Sequence, residues 1–320
     1  MILALRPLAA LAVVVAMLGC GDATSSGVDA QIDALFGDPP FGTVNRDEAR
    51  RILETEPEDD GPFFLVNFIR HREHAEYRDG RPTDLTGAQA DALYNLAVLP
   101  MLADIGAQPF YVGGVERMPL PGDGQEWDQV AVVLYPSRAM VVEMISRADF
   151  RAAVAHKVAG VERTIVLVAH PAPDQLPEDL RRVDLTKLPF PPTADDPPIN
   201  LVHLIRFHSI AQYADGRPTT LTGREAFDLY EQGRVPQAVP LGVRPAIKLD
   251  VEAELIGDGR VWDEVRINNF PSRAAFAQLA TKESLDAAGY ENRVAGLADT
   301  YALVAAPLVN QVGYLPPLGQ

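Results

Sequence analysis

Cysteine is almost absent from this chain of 320 residues, since Cys20 is the only one. A single thiol excludes an internal disulfide. Basic residues are also few, with 28 Lys and Arg against 44 Asp and Glu, and the formal net charge is −16 at pH 7. Such a surface repels polyphosphate, and no Lys/Arg-rich run offsets it. We therefore expect no nucleic-acid partner.

The first residues have the composition of a secretion signal. Arg6 precedes an unbroken apolar stretch from Leu8 to Leu18, which is too short to span a bilayer comfortably. Cys20 follows at the position where a bacterial lipoprotein signal has its lipidated cysteine, and residues 17–20 resemble a lipobox with Met in place of the usual Leu. The alternatives are an ordinary signal peptide cut nearby and an uncleaved anchor. We expect residues 1–19 to be removed and Cys20 to anchor a cell-envelope lipoprotein to a membrane, at the periplasmic face or the outer membrane.

The remaining sequence contains one pattern twice. Of the 30 positions from Leu65 to Tyr94, 17 are identical to those from Leu201 to Tyr230. Shared motifs continue downstream, namely Trp127-Asp128 with Trp262-Asp263, Pro136-Ser137-Arg138 with Pro271-Ser272-Arg273, and Val158-Ala159-Gly160 with Val294-Ala295-Gly296. The predicted organisation is a flexible tether (20–62) with one short helix after an Asn45 cap, a first module (63–170), a proline-rich linker (171–198), a second module (199–310) and a tail (311–320).

Each module predicts the order β-α-β-β-α-β. In the first copy, strands are expected at 63–69, 108–117, 127–135 and 164–169, with helices at about 86–105 and 137–160. This ferredoxin-like order places both helices on one face of an antiparallel sheet and leaves the other face uncovered. We therefore predict an α+β fold in which two ferredoxin-like modules form an intramolecular dimeric α+β barrel, a monomer with an internal pseudo-dimer.

Both copies resemble the DUF1330 family of the dimeric α+β barrel superfamily. The resemblance depends on Asn67 to Arg70, the Tyr-x-Asp-Gly loop, the Leu-Thr-Gly helix start, Trp127-Asp128 and residues 135–138, and it covers nearly all of both modules. It implies a barrel of paired ferredoxin-like sheets. It implies little chemistry, because the family is of unknown function and the superfamily includes cofactor-free monooxygenases, haem-dependent enzymes and stress-response proteins.

Several conspicuous residues have structural interpretations. Ser137 and Ser272 stand where a helix N-cap belongs, and Trp127 and Trp262 have the size of core residues. The segment from His71 to His74 offers two imidazoles, but the second copy does not repeat them and the segment is predicted to be a loop. No metal site is predicted.

The loop of each copy supplies one set of candidate ligand contacts. These residues are Tyr77 and Arg81 in the first module and Tyr213 and Arg217 in the second. A Tyr and an Arg that both copies contain, placed over the mouth of the barrel, could close on an anionic or aromatic ligand. Asp-Gly followed by Arg-Pro is also ordinary turn chemistry, so a purely structural loop is the alternative.

Strand alternation supplies the second set. Asn67 and His203 are single polar residues on otherwise apolar strand faces, and the second module adds Arg266 and Asn268. If these faces line the barrel, its interior is a polar cleft in which His203 is the group that titrates near neutral pH. If they face solvent, the pattern is ordinary polar-out alternation.

The leading functional hypothesis is an envelope lipoprotein that binds a small molecule in the barrel between the fused modules. The alternative is a cofactor-free oxygenase or isomerase in which His203 acts as acid or base and Arg70, Arg206 or the loop tyrosines hold the substrate. A haem enzyme is a third possibility, although His71 and His156 have no histidine counterparts in the second copy. No cofactor is predicted.

Overall fold

The computed structural model describes residues 23–116, 127–173 and 181–315. The predicted signal sequence and Cys20 lie outside these residues. Among the described helices, none combines the length and apolar character needed to cross a membrane.

The first module runs from β2 to β5. Its elements are β2 (Phe63–His71), α3 (Gly87–Asp104), β3 (Gln108–Val115), β4 (Gln129–Tyr135), α4 (Arg138–Ser146), α5 (Ala148–Gly160) and β5 (Val161–Pro171). Thr86 begins α3 with a capping box, and the Ser137 hydroxyl accepts a hydrogen bond from the backbone N–H of Met140 at the start of α4. The serine of the Pro-Ser-Arg motif is therefore a helix cap, as the sequence predicts.

The second module repeats this order with one more helix. Its elements are β6 (Ile199–Phe207), α6 (Gly223–Ala238), β7 (Arg244–Gly257), β8 (Glu264–Phe270), α7 (Arg273–Leu279), α8 (Lys282–Ala287), α9 (Tyr290–Gly296) and β9 (Leu297–Asn310). Thr222 forms the capping box of α6, and Ser272 caps α7 through the backbone N–H of Ala275.

Eight strands close into one antiparallel barrel. Their order is β7-β5-β2-β4-β3-β9-β6-β8, and β8 pairs back with β7. Each module contributes four neighbouring strands, and the modules join at the β5–β7 and β3–β9 pairs. Strand β7 is long enough to pair with β8 through Arg244–Asp250 and with β5 through Leu249–Ile256. Closure removes the free sheet edges that separate four-stranded modules would expose.

The barrel interior is filled with apolar side chains from the strands and the residues beside them. They include Val66, Phe68, Leu167, Leu204 and Leu249, all fully buried. Trp127 and Trp262, one from each module, both contact the ring of Tyr301, at centroid distances of 5.6 and 5.5 Å. The two tryptophans are core residues, as expected from their size.

The outer faces of the strands are covered by helices. In the first module, helices α3 to α5 bury Leu65, Met101, Met144 and other apolar residues against the sheet. In the second module, Phe276 and Leu279 of α7 pack beside Ile199 and Phe270. Both faces of the strands are therefore buried, one inside the barrel and one under the helices.

The N-terminal segment differs from the flexible tether that its composition predicts. It forms α1 (Ala23–Leu35), β1 (Thr43–Val44) and α2 (Arg46–Glu54), and β1 pairs with β7. Ile32 and Ile52 are buried against the helical layer of the first module. These apolar anchors are widely spaced among polar residues, which is why the local composition resembles a spacer.

Parts of the predicted linker and of the predicted tail contact the second module. Val312, placed by sequence in the tail, is buried in the barrel core, and its carbonyl accepts a hydrogen bond from Asn269 Nδ2 at 2.7 Å. Within the described part of the linker, the Phe190 carbonyl accepts a hydrogen bond from the Ser272 hydroxyl.

Candidate functional site

A cavity of about 120 Å³ lies between the outer face of the second module's sheet and helices α6 to α9. Its walls combine aromatic and aliphatic side chains with three basic ones. The lining residues are Leu201, His203, Tyr230, Arg234, Phe270, Phe276, Leu279, Ala280, Leu285, Tyr290, Arg293 and Ala302. None of them is acidic, in a chain that contains 44 Asp and Glu.

His203 occupies the floor of this cavity. It lies on β6, in register with Arg266 of β8 and Ala302 of β9. Burial, together with the nearby charges of Arg293 and Arg266, lowers the pKa of His203 to about 3. The imidazole is therefore neutral near pH 7, and it forms no hydrogen bond with any residue in the described part of the chain.

The two arginines of the cavity have different surroundings. Arg234 donates hydrogen bonds to the Leu279 carbonyl at 2.8 Å and to the Ser284 hydroxyl at 2.9 Å, so it ties α6 to the segment around α7 and α8. Arg293 donates only a long bond of 3.5 Å to the Tyr290 hydroxyl and lies over that ring. Neither guanidinium forms a salt bridge within the described residues.

Arg266 is neutralised by nearby acids. It forms ion pairs with Glu231 and Glu264, and Asp228 Oδ1 lies 3.7 Å from Arg266 Nη2. Glu264 is fully buried and also accepts from Arg224. This network fixes α6 to β8 beside the cavity, so the unbalanced positive charge of the cavity belongs to Arg234 and Arg293.

In the first module, apolar side chains occupy three positions that correspond to the cavity wall. Val98 stands where the second module has Arg234, Met144 where it has Leu279, and Phe150 where it has Leu285. All three belong to the packed helical layer, and Phe150 contacts Tyr94 at a ring-centroid distance of 6.2 Å. The corresponding positions are thus packed in the first module and line a polar cavity in the second.

Neither sequence interpretation of the polar strand faces is correct. Asn67, His203, Arg266 and Asn268 belong to the strand faces that the helices cover, not to the barrel interior, and Arg266 is only 4% exposed. The described barrel interior is packed with apolar side chains and one hydrogen-bonded polar pair, Asn200 with Asn269, so it contains no polar cleft between the modules. A strand covered on both sides gives no alternation signal that distinguishes the two faces.

The predicted loop residues brace the loops against the modules. The Tyr77 hydroxyl lies 2.6 Å from His156 Nδ1 on α5, and Arg81 stacks on the Tyr77 ring. In the second module Tyr213 donates to Asn292 Oδ1 of α9, and Arg217 stacks on Tyr213. None of these four loop residues lines the cavity.

The two strand-end arginines also lie outside the cavity lining. Arg70 pairs with Asp128 at 3.3 Å, and Arg206 is exposed. Sequence reasoning therefore identified His203 of the cavity but missed Tyr230, Arg234, Tyr290 and Arg293. A signal existed for one of them, because Tyr230 belongs to the repeated Leu-Tyr pair.

The closed topology defines the class of protein as a dimeric α+β barrel formed within one chain. No protein-family model matches the chain, and no curated protein does. Among solved structures, RPA0582, a protein of unknown function from Rhodopseudomonas palustris, matches 42% of this chain and 98% of its own, with 32% identity and a TM-score of 0.36.

Two further solved structures match most of the chain at low identity. A chlorite dismutase mutant from Candidatus Nitrospira defluvii is 10% identical over 82% of this chain and 96% of its own, with a TM-score of 0.41. A structure described as a "putative monooxygenase" from Lactobacillus acidophilus NCFM is 9% identical over 80% of this chain and 98% of its own, also at 0.41.

Proposed function

We propose that this protein binds a small molecule in the cavity between the sheet and helices of the second module. The observation that carries the proposal is a cavity with apolar walls that also contains a neutral His203 and Arg293, which has no acidic partner among the described residues. Ligand sites are typically concave and mostly apolar, with a few convergent polar groups that fix orientation. The cavity replaces the barrel interior as the proposed location of the ligand.

The size of the cavity limits the ligand. At about 120 Å³ it is comparable to an engineered cavity of about 150 Å³ that admits benzene. A porphyrin is several times larger, so the residues present do not fit a haem group. The ligand we propose is therefore a single-ring or short-chain molecule.

Filling the cavity tests the proposal. Ala302→Leu adds a branched side chain to the cavity wall, whereas Ala88→Leu adds the same atoms to an exposed helix position. In ligand-observed NMR with neutral, anionic and cationic fragments of about ten heavy atoms or fewer, we expect binding to the wild type and Ala88→Leu but not to Ala302→Leu. If no fragment distinguishes the wild type from Ala302→Leu, the proposed site is rejected.

A second candidate is a cofactor-free oxygenase or isomerase that uses His203 as a base. The unpartnered imidazole in the cavity favours it, because general bases act from such positions. The low pKa opposes it, since an imidazole of pKa about 3 is a weak base at neutral pH. Binding without turnover is therefore the function we favour.

We also propose that the two halves are ferredoxin-like, DUF1330-like modules. The strand order β5-β2-β4-β3 in one half and β9-β6-β8-β7 in the other is the same, which supports duplication of one ancestral unit. The shared helix caps and the repeated Pro-Ser-Arg motif support the same origin.

For the cellular location we propose a lipoprotein of the bacterial envelope, anchored to a membrane through Cys20. The support is the residue pattern of positions 1–20 and the absence of any other cysteine. Metabolic labelling with palmitate in the native host should mark the wild type and not Cys20→Ser. Equal labelling of the two proteins would contradict the anchor.

A further inference from the structure

We infer that the ligand of the second-module cavity is a compact apolar carboxylate, with its carboxylate bound by Arg293 and its body against Phe270, Phe276 and Leu285. This inference rests on the proposed binding function and adds the charge class of the ligand. It follows from which charges in the cavity are balanced and which are not.

The cavity is a positive site in a strongly acidic protein. Arg234 and Arg293 both line it, no lining residue is acidic, and the whole chain carries a formal charge of −16. Both guanidinium groups are partly buried, and a charge that is partly removed from water is stabilised by a counter-charge. An anionic ligand would provide the counter-charge that the described residues do not.

Most N–H groups of the Arg293 side chain have no acceptor among the described residues. Arg234 already donates to Leu279, Ser284 and Gln237, so its guanidinium is held by neutral acceptors. Arg293 has only the 3.5 Å contact to the Tyr290 hydroxyl. A planar guanidinium with free N–H groups matches a carboxylate through two parallel hydrogen bonds.

The remaining walls determine the rest of the ligand. Phe270, Phe276, Leu279 and Leu285 offer only apolar surface to the cavity. His203 adds no positive charge near neutral pH, and a neutral imidazole can donate one N–H to a carboxylate oxygen. One anionic end and one apolar body satisfy both parts of the lining.

The repeat supports this assignment by contrast. Lys157 is the first-module counterpart of Arg293, and the positions of Arg234, Leu279 and Leu285 are taken there by Val98, Met144 and Phe150, which pack into the helical layer. The second module therefore replaces an apolar wall residue with a second cation and enlarges the space beside it. The added cation favours an anion over a neutral apolar molecule, and the added space admits a ligand of either kind.

Matched pairs of probes test the inference by isothermal titration calorimetry at pH 7. Benzoate is compared with benzyl alcohol, and hexanoate with hexanol, on the wild type, Arg293→Gln, Arg293→Lys and Arg206→Gln. Arg206 is exposed and outside the cavity, so its variant controls for the same change in net charge. Circular dichroism confirms that each variant is folded.

We expect the wild type and Arg206→Gln to bind at least one carboxylate about tenfold or more tighter than its alcohol. Arg293→Gln should lose this preference while keeping its alcohol affinity, and Arg293→Lys should retain part of it. Added salt should weaken carboxylate binding alone.

Four results would overturn the inference. Equal affinity for acid and alcohol, or a preference that survives Arg293→Gln, would remove the carboxylate assignment while leaving small-molecule binding intact. Binding of neutral fragments without any carboxylate would do the same. If no probe or fragment binds the wild type more tightly than it binds Ala302→Leu, both this inference and the proposed function are overturned.

Discussion

The imidazole of His203 is partly buried beside two guanidinium groups, those of Arg293 and Arg266, and these surroundings favour its neutral form. In the unfolded chain the same side chain returns to water and to its ordinary pKa of about 6.5. Below that pH the unfolded state therefore binds a proton that the folded state does not. Acid should destabilise the fold through this one residue.

His203→Asn tests this at the residue scale, because Asn67 is the natural counterpart in the first module. Between pH 7 and pH 5 the wild type should lose about 2 kcal/mol more unfolding free energy than the variant, since protonating a histidine of pKa about 6.5 favours the unfolded state by that amount at pH 5. Urea unfolding at the two pH values measures it.

His74→Asn is the matched control, because it removes an exposed imidazole. It should leave the pH dependence of the wild type unchanged. If His203→Asn and the wild type lose the same unfolding free energy between pH 7 and pH 5, the His203 imidazole is not kept neutral in the folded protein.

The sequence identified His203 as a candidate but misplaced its surroundings. A polar residue inside an apolar strand is visible from alternation alone, whereas the face on which it lies depends on which surface is covered. Arg234 and Arg293 lie on helices in sequences that resemble ordinary amphipathic surfaces, so nothing local distinguishes them from solvated residues. Their convergence is a property of tertiary structure.

At the scale of elements, the repeated glycines mark where two helices approach the same strand end. Arg72 N–H donates to the Gly160 carbonyl, and Gly87 N–H donates to the Arg72 carbonyl. The second module repeats the arrangement with His208, Gly296 and Gly223. The Leu-Thr-Gly and Val-Ala-Gly motifs were visible in the sequence as repeats, but their meeting was not.

A methyl group has no room at this crossing. A Cβ on Gly160 would lie 2.3 Å from the Gly87 carbonyl oxygen, and one on Gly296 would lie 2.4 Å from that of Gly223. Gly160→Ala and Gly296→Ala should each lower the free energy of unfolding by about 2–3 kcal/mol, because backbone must move to relieve the overlap. Chemical denaturation followed by circular dichroism measures the loss.

Gly114→Ala provides the comparison for this prediction. A Cβ on Gly114 would meet nothing within 4 Å, so this strand substitution should change stability by less than about 0.5 kcal/mol. Equal effects of the three substitutions would mean that the glycine crossing is not constrained.

At the scale of the molecule, the two Pro-Ser-Arg arginines join the modules in a pseudo-symmetric way. Arg138 of the first module donates to Glu252 of the second at 2.7 Å, and Arg273 of the second pairs with Glu116 of the first. Such reciprocal contacts are those expected of an isologous interface. The predicted internal pairing of modules thus extends to individual side chains.

Parts of the molecular arrangement were beyond sequence reasoning. The repeat and the helix caps at Thr86 and Ser137 indicated the modules, since both signals are local. The pairing of β7 with β5 joins residues about 80 to 90 positions apart, and the hydrogen bond from Asn45 Nδ2 to the Glu254 carbonyl joins residues 209 positions apart. No local pattern encodes them.

The two pseudo-equivalent ion pairs differ in burial, and this allows a comparison within one molecule. The Arg138 side chain is 8% exposed and that of Arg273 is 33% exposed. Arg138→Met should cost about 2 kcal/mol of unfolding free energy, because it removes a buried cation from Glu252, which keeps Arg51 and His170 as partners. Arg273→Met should cost about 1 kcal/mol, since water partly replaces the lost partner.

Arg151→Met, at an exposed helix position, controls for the loss of charge. Urea unfolding that gives equal losses for Arg138→Met and Arg273→Met would contradict a dependence on burial at the module interface.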